Sequence, residues 1–355
     1  MNARLLSGES WARLSTIIIL LIPLLLVAFI AKLVGNVLFE RVVITFFINL
    51  TLVMGLQVFM GNSGILSFAH IGFMGIGAYA SVLFSMTPQM KEIALPDLPL
   101  WLSQIQLSFV VSVLIGAVIA AGIAAIVSFP LMRLSDASAV ITSFALLVVI
   151  HTILVHWKTV TNGPQTLFGV DRYTYLWTSV FWACVFVVLA YWFKESRTGL
   201  QLRASRDERE AASTVGINIV VVRWRGFVFS AFMAGLGGGL WAHFITSFSP
   251  KAFWLKETFV ILSMLVIGGP SSVSGAVVGA FVVTGVFEGL RGLENQINIA
   301  QIISAQVIGL TEIVLSIAMI VILIKRPLGI MGGKELRWPM ENTGDVQQVE
   351  PALRD

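Results

Sequence analysis

Residues 197–225 read RTGLQLRASRDEREAASTVGINIVVVRWR, a long charged stretch inside a very apolar chain. Together with the preceding lysine it holds the densest group of basic residues in the sequence: Lys194, Arg197, Arg203, Arg206, Arg209, Arg223 and Arg225. A chain that crosses a membrane many times rarely keeps so long a polar segment unless another molecule docks on it. We therefore predict a docking loop over about residues 194–223.

The composition outside this loop is that of a membrane protein. Hydrophobic residues make up 57% of the 355 residues and charged residues only 12%, and the mean hydropathy is +0.90. A chain of this length has room for about ten spans of roughly 20 residues each, with connecting loops. We therefore predict an all-α integral membrane protein.

Apolar runs separated by charged or turn residues predict about ten transmembrane helices. The first follows Arg4 and Arg13 without an A-x-A cleavage site, so we interpret it as a span and not as a signal peptide. A count of eight or nine stays open, because the runs 61–64 and 268–275 are also typical of re-entrant or broken helices. The predicted spans are 16–34, 42–60, 65–85, 106–128, 138–156, 175–193, 224–246, 259–274, 276–290 and 305–324.

The distribution of Lys and Arg predicts the orientation. With the N-terminus inside, loop 194–223 is cytoplasmic, and so is the basic group at Lys325, Arg326, Lys334 and Arg337, which places both termini inside. Loops 86–105 and 157–174 then lie outside and carry few positive charges. The net charge of +4 reflects this bias and predicts contact with membrane lipids, with no nucleic acid as a partner.

No boundary divides the membrane part, so residues 1–331 are predicted as one transmembrane domain, followed by a polar cytoplasmic tail at 332–355. The order of spans suggests an inverted repeat of spans 2–5 against spans 7–10. That idea rests on topology alone, because the sequence shows no clear internal repeat.

Small residues recur at helical spacing. Ala231, Gly235, Gly238 and Ala242 share one face, and Gly275 with Gly279, then Gly285 with Gly289, form two G-x-x-x-G steps. Small residues allow helix backbones to approach closely in a membrane. Ordinary helix packing explains them; the alternative is that one stripe lines a solute path or faces a second subunit.

Several catalytic patterns are absent from the sequence. The run Gly332-Gly333-Lys334 is followed by Glu335 and lacks the upstream glycine of a phosphate-binding loop. No span carries acids and histidines suited to a proton relay; Glu312 is the one carboxylate well inside a predicted span, in its outer part. No metal-ligand spacing is present, and the single Cys184 excludes a disulfide framework. We predict no enzyme activity, no cofactor and no metal, so transport energy must come from a gradient or from a partner ATPase.

The chain resembles the membrane permease subunits of branched-chain amino-acid ABC importers, specifically the M-type subunit of a two-permease pair. The resemblance covers most of the chain. The stretches that carry it are NLTL at 49–52, GNSGILSFAH at 61–70, GIGAY at 75–79, TNGPQ at 161–165, LRASRD at 202–207 with AA at 211–212 and GI at 216–217, FVFSA at 227–231, and KRPLGIMG at 325–332.

This chain departs from the family pattern at three places. Asn62-Ser63 occupies the position of a pair of small residues, and Phe68-Ala69 occupies the position of Leu-Gly. Gln165-Thr166 follows Gly163-Pro164, where many members of the family have a second glycine. We expect these segments to face the solute. The solute class therefore stays open between branched-chain or related amino acids and urea or other amides.

The resemblance implies a fold of the ABC-importer permease type in a bacterial inner membrane. It implies three kinds of partner: a second homologous permease, two ABC ATPase subunits and an extracytoplasmic solute-binding protein. It also implies a solute path with small, apolar walls. The residues implied in ATPase docking are Arg203, Arg206, Glu210, Ala211, Ala212 and Gly216, where Glu210 suits a helix start and Gly216 a turn.

The predicted solute-path residues are Asn62, Ser63, Ser67, His70, Asn162 and Gln165. His70 shares a helix face with Ser67, which suits either a packing histidine or a hydrogen bond in the path. Asn162 to Gln165 is either a structural turn or a contact for the binding protein. The remaining histidines, His151, His156 and His243, are predicted to lie at the membrane interface.

Two further classes compete with the importer hypothesis. A stand-alone secondary transporter or channel predicts activity without an ATPase and buried charges along the spans. A membrane scaffold subunit predicts tolerance of substitutions at His70, Asn162 and the glycine stripe.

Overall fold

The computed structural model describes residues 2–299, 309–326, 328–333 and 335–336. Parts of the predicted tenth span and of the family-like ending, and nearly all of the polar tail, lie outside these residues. Within them the chain is nearly all helical, and its β structure is a single antiparallel bridge between Leu167 and Phe248. The helices are α1 (Asn2–Val34), α2 (Val37–Leu56), α3 (His70–Ser85), α4 (Pro88–Ala94), α5 (Leu100–Ser103), α6 (Phe109–Leu131), α7 (Asp136–His156), α8 (Lys158–Thr161), α9 (Leu176–Glu195), α10 (Arg197–Asp207), α11 (Arg209–Thr214), α12 (Ile219–Ile245), α13 (Leu255–Gly268), α14 (Val273–Ile299) and α15 (Leu310–Lys325).

Seven of the described helices are long and apolar enough to cross a membrane: α1, α2 with its π-helical extension Gln57–Gly61, α6, α7, α9, α12 and α14. Three shorter apolar helices, α3, α13 and α15, occupy the remaining predicted spans. The prediction of an all-α membrane protein is thus confirmed, and each of the ten predicted segments contains a helix.

Two of the predicted spans extend across a break where the structure has no helix. The span predicted at 65–85 begins only at His70, because residues 64–69 form a loop after the helical end of α2, which runs through the π-helical segment to Ser63. The span predicted at 259–274 ends at Gly268, and the break covers residues 269–272. Gly269 has φ +120° and Pro270 follows it, so the helix stops here despite the apolar sequence around it.

The two ends of the bundle are distinguished by their loops. The charged-loop end, as we call it, holds α10, α11 and both breaks, at 64–69 and 269–272. Contacts among these segments place them together: Arg206 bonds to Gly61 and Lys194 bonds to Ser271. The opposite end holds residues 86–108, 157–175 and 246–254.

Short polar side chains cap helices at both ends of the bundle. Asn36 accepts hydrogen bonds from the backbone at the start of α2, Ser196 caps α10, and Asn218 caps α12. Each oxygen satisfies a backbone N–H that has no partner inside its helix. These caps fix the helix starts on either side of the docking loop.

Glycine allows α3, α6 and α12 to form the tightest part of the core. A Cβ added to Gly238 of α12 would overlap the carbonyl oxygen of Met74, and one added to Gly235 would lie 2.6 Å from the Ala120 Cβ. The face that carries Ala231 and Ala242 is fully buried. Close backbone approach of this kind is how helices associate where lipid offers no hydrophobic gain.

The second close contact is between α13 and α14. A Cβ on Gly279 would overlap the Met264 carbonyl oxygen, and one on Gly275 would lie 2.6 Å from the Ser272 Oγ. The other predicted step differs: no described atom lies within 4 Å of a Cβ added to Gly285 or Gly289. Only the first G-x-x-x-G step therefore packs within the described part of the chain.

Candidate functional site

The docking loop folds into two short helices, α10 and α11, at the charged-loop end. On α11, Glu210, Ala211 and Val215 are exposed, whereas Ala212 is buried against the bundle. The helix ends in Gly216, which has φ +84°. Its N–H donates to the Ser213 carbonyl at 3.0 Å, and the Ile217 N–H donates to Ala212 at 3.1 Å. This is a Schellman C-cap, which favours glycine at its left-handed residue.

Arginine side chains fasten the docking helices to the bundle. Arg206 Nη1 donates to the carbonyl oxygen of Gly61 at 2.9 Å, and Arg203 Nη2 donates to that of Lys194 at 3.0 Å. Arg223 is buried and pairs with Asp136 at 2.8 Å. Several basic residues of the loop thus bond within their own chain, in addition to any partner or lipid they meet.

The break after α2 touches the break after α13. Gly61 lies so close to Pro270 that an added Cβ would overlap the Pro270 carbonyl oxygen. Gln57, one turn earlier in the π-helical segment, is fully buried, and neither of its amide atoms has a hydrogen-bond partner among the described residues. Asn62 is also buried, with its Oδ1 unpartnered. Single π-helical turns and unsatisfied polar groups are both unusual in a rigid core and frequent at functional sites.

His70 lies in a buried chain of hydrogen bonds. Its Nδ1 is 2.9 Å from Ser67 Oγ and its Nε2 is 2.6 Å from Ser230 Oγ, and Ser230 in turn donates to the Gly55 carbonyl. The adjoining cavity is only about 10 Å³, close to the minimum for one water. The geometry thus favours the packing interpretation of His70, and the role of Ser230 was missed by sequence analysis.

His243 lies in the last turn of α12, near the predicted interface, but it is buried between helices. Its Nε2 is 2.7 Å from Ser85 Oγ and its Nδ1 is 2.7 Å from the Gly239 carbonyl oxygen. This burial was not predicted, because Ser85 comes from another helix and is distant in the sequence. His156 is exposed, and His151 lies against the Trp254 ring with 4.2 Å between ring centroids.

The turn at Asn162 lies at the opposite end of the bundle from Asn62 and Ser63. Asn162 has φ +63°, and Gly163 follows with φ +60°. The Asn162 side chain donates to Thr166 at 3.4 Å, and Gln165 is exposed. The structure therefore splits the six predicted path residues between two ends and does not bring them together in one cavity.

The loops at the opposite end are ordered by buried polar contacts. Lys91 is fully buried and donates to the carbonyl oxygens of Leu102 and Ile105, the former at 3.0 Å. Burial lowers the pKa of Lys91 from its ordinary value. Thr174 Oγ1 donates to the Leu240 carbonyl at 2.8 Å, which holds the loop before α9 against α12.

A cleft of about 360 Å³ opens at the opposite end between α2, α12, α13, α14 and α15. Its charged lining residues are Lys256, Glu257, Glu288, Arg291, Glu294 and Glu312. Glu312 pairs with Lys256 at 2.6 Å. The expectation that Glu312 is the one carboxylate well inside a span is wrong, because α13 and α14 extend over Glu257, Glu288 and Glu294 as well.

Apart from Glu312, sequence analysis missed the charged cleft residues because they lie near predicted span ends, where charges are ordinary. Their grouping depends on the start of α13, the end of α14 and the start of α15 coming together in space. Asn49 and Thr284 also line the cleft. Asn49 opens the first family-like stretch, which is the one signal in the sequence that pointed to this region.

The fold and these sites define a helical membrane permease. The family described as "Branched-chain amino acid transport system / permease component" matches residues 38–324, which is most of the chain. This chain therefore belongs to that family, and the resemblance is confirmed. Family membership agrees with a transport subunit of a membrane and with no catalytic chemistry of its own.

Similar proteins differ in what their names say they transport. The nucleoside ABC transporter permease NupC of Lactococcus lactis is 25% identical over 232 residues, covering 59% of this chain and 69% of NupC. The high-affinity branched-chain amino-acid permease LivM of Escherichia coli is 24% identical over 270 residues, covering 66% of this chain and 59% of LivM. The guanosine ABC transporter permease NupQ of Bacillus subtilis is 34% identical over 86 residues, 23% of this chain and 27% of NupQ. No solved structure matches the chain.

Proposed function

We propose that this chain is the membrane-spanning subunit of an ATP-driven importer for branched-chain or related amino acids. In this proposal it pairs with a second, homologous permease, two ATPase subunits dock at the charged-loop end, and a solute-binding protein docks at the opposite end. The observation that carries the proposal is α11, an exposed, glycine-capped helix that packs on the bundle through the buried Ala212 and follows α10, which arginines of its own chain hold against the bundle.

The surface of α11 suits a protein partner. Val215 is 76% exposed at the helix end, next to the small Ala211 and the acidic Glu210. An exposed apolar residue beside a short capped helix has little purpose in water and fits a groove on another protein. Glu210 lies in the first turn of α11, where the positive end of the helix dipole stabilises a carboxylate.

The contacts below α11 offer a route by which docking would move the spans. Arg206 joins α10 to Gly61, and Gly61 touches Pro270 at the second break. A displacement of α10 by an ATPase would therefore act on both helix breaks together. The buried and unpartnered Gln57 amide beside them would gain water when the breaks separate, which lowers the cost of opening.

The same arrangement supports an inward location for the charged-loop end. Basic residues concentrate there, in agreement with the bias of cytoplasmic loops. The proposal therefore has the permease in a bacterial inner membrane with the docking loop in the cytoplasm.

The docking proposal is tested by purification of the tagged chain from its native membrane in mild detergent. We expect two ATPases and a second permease to copurify with the unchanged chain. Val215→Asp places a charge on the exposed face of α11 and should lose the ATPases while it is recovered in the same yield and the second permease still copurifies. Ile93→Asp is the matched control, since Ile93 is 64% exposed at the opposite end, and it should keep the ATPases. Equal ATPase recovery in both variants would refute the docking surface.

A second candidate is a nucleoside permease. It is favoured by the relatives NupC and NupQ and by Trp241 and Phe287 in the cleft, whose rings could stack on a base. ATP-dependent uptake by the purified complex and its binding protein distinguishes the two. Uptake of leucine without guanosine supports the amino-acid proposal, and the reverse supports the nucleoside candidate.

A further inference from the structure

The cleft at the opposite end carries more acid than base. Four carboxylates and two basic groups line it. Two of the carboxylates already have partners: Glu312 pairs with Lys256, and Glu294 accepts hydrogen bonds from the Gly309 N–H at 3.1 Å and from the Thr311 hydroxyl at 2.9 Å. These contacts hold the start of α15 against α13 and α14 and close one side of the cleft.

The remaining carboxylates face the cleft without such partners. Glu257 and Glu288 are both half-buried, and neither forms a hydrogen bond or a close ion pair with a described residue, although the charges of Lys256 and Arg291 act on Glu257. Arg291, one turn after Glu288 on α14, lines the same cleft. Two basic groups face four carboxylates, so the cleft keeps an excess of negative charge in a wall of low polarity, and a cation in the cleft would offset it.

An uncharged group points to a ligand independently of the acids. Thr284 is 5% exposed, its hydroxyl has no hydrogen-bond partner among the described residues, and it lines the cleft. Asn49 lines the cleft from α2. A buried hydroxyl needs a partner, and a solute in the cleft would supply it.

We infer that this cleft binds a solute by its ammonium group, with Glu257 and Glu288 facing the cation. Arg291 faces a carboxylate when the solute is a zwitterion, and Thr284 bonds to its polar end. The apolar walls formed by Val260, Met264 and Phe287 accept its side chain. The inference rests on the proposed function for the identity of the solute, which would be an amino acid or a related amine. It also replaces the expectation of wholly apolar path walls.

The charge of the cleft can be tested without transport. In a Cys184→Ser background, Asn49→Cys places a thiol in the cleft and Gln106→Cys places one on an exposed loop at the same end. We would compare the modification rates by cationic and anionic methanethiosulfonate reagents of similar size. A negatively charged cleft concentrates cations. We therefore expect the ratio of the cationic to the anionic modification rate to be about tenfold greater at position 49 than at position 106.

Carboxylate variants identify the source of the preference. Glu257→Gln and Glu288→Gln should each reduce the cation preference at position 49. Glu92→Gln, which removes an exposed carboxylate outside the cleft, should leave it unchanged. Equal preferences at positions 49 and 106, or no reaction at position 49 while position 106 reacts, would overturn the inference.

Protection by solutes tests the chemical class. We expect leucine and simple primary amines to slow modification at position 49, and guanosine to leave it unchanged. Protection by guanosine alone would overturn the ammonium assignment. The measurement is separate from the importer proposal: if no ATPase copurifies but the charge preference and amine protection remain, the proposed function fails and the cleft inference stands.

Discussion

Lys194 and Glu335 form an ion pair in which each side chain is only 6% exposed. Lys194 ends α9, next to the docking loop, whereas Glu335 follows the last described helix by ten residues. The Glu335 carboxylate also accepts hydrogen bonds from the backbone N–H groups of Val273 and Ser274, at 2.8 and 3.0 Å, and from the Ser274 hydroxyl. It therefore caps the N-terminus of α14, where the helix dipole favours an anion.

Residues 328–333 and 335–336, which include Glu335 and which we call the C-terminal strap, also cover the second break. The Ile330 N–H donates to the Ile267 carbonyl at 2.9 Å and the Met331 N–H to that of Gly268 at 3.1 Å. The strap thus satisfies the last carbonyl oxygens of α13 and the first N–H groups of α14. It connects the docking loop, through Lys194, to the helix break at 269–272.

Removal of either charge should therefore destabilise the protein. Lys194→Met leaves a buried carboxylate without its cation, and a single loss of this kind costs about 3–5 kcal/mol. We expect a clear fall in the melting temperature of the purified chain, and Lys251→Met, at an exposed lysine, as the control should show none. A double variant, Lys194→Met with Glu335→Gln, should recover part of the loss, because no unpaired buried charge remains. An additive double variant would contradict the pairing.

The attachment of the strap should depend on pH. Burial alone would raise the pKa of Glu335, but the Lys194 charge and the hydrogen bonds from Ser274 outweigh it and hold the pKa below its ordinary value of 4.5. When folding lowers the pKa of a carboxyl, that carboxyl stabilises the fold fully at pH values above its pKa in the unfolded state. The stabilisation is lost as the pH falls through the pKa of the folded state. We expect the strap to be protected from protease above pH 4.5 and to become cleavable below it.

Glu335→Gln provides the control for the pH experiment. The amide does not titrate in this range, so strap cleavage in the variant should be faster throughout and should not rise further as the pH falls below 4.5, where the wild-type rate does. If the wild-type cleavage rate already increases during acidification at a pH well above 4.5, another group controls the attachment of the strap.

The glycines of α14 give a matched pair for testing helix packing. Gly279→Ala would place a methyl group into the Met264 carbonyl, and such overpacking costs about 1–3 kcal/mol. Gly285→Ala meets no described atom within 4 Å and should be neutral or stabilising by up to about 1 kcal/mol, since alanine loses less backbone entropy in a helix. The melting temperatures of the two purified variants check the difference. Equal effects would mean that α13 and α14 are not in close contact.

Hydropathy and turn residues were enough to predict the helical class and the ten apolar segments, because each span must bury a run of apolar residues in lipid. The family motif likewise predicted the turn at Gly216, since glycine is favoured there by local backbone geometry; the docking role of the loop stays a prediction. The breaks were predicted only approximately. The apolar run predicted as the span 259–274 continues across Gly269, where the helix ends. Hydropathy depends on side chains alone and therefore does not detect the positive φ that breaks the helix.

The charge pairs and the cleft could not be predicted from the sequence. Lys194 and Glu335 are separated by 141 positions, and nothing in either local sequence marks the other as its partner. The same holds for Ser230 with His70. Charges at span ends have the same appearance in the sequence whether they face lipid headgroups or converge on a cleft, so Glu257 and Glu288 were indistinguishable from ordinary interfacial residues.

The docking loop yields a prediction about coupling that rests on the importer proposal. Gly216 has a left-handed backbone, in which a residue with a Cβ is strained by roughly 1–2 kcal/mol. Gly216→Asp adds a negative charge beside the C-terminus of α11, where the dipole disfavours it. Since a Cβ there meets no described atom, membrane insertion should be normal, while ATP hydrolysis by the reconstituted complex should no longer drive uptake.

Gly216→Asn separates charge from backbone strain in that experiment. Asparagine has nearly the same shape as aspartate and tolerates the left-handed region, so it should retain most of the uptake per ATP hydrolysed, whereas aspartate should lose it. The ratio of solute transported to ATP consumed in proteoliposomes measures the difference. Normal uptake by Gly216→Asp would contradict a role for this cap in docking. Equal loss in both variants would instead show that the backbone conformation, and not the charge, is what the ATPase requires.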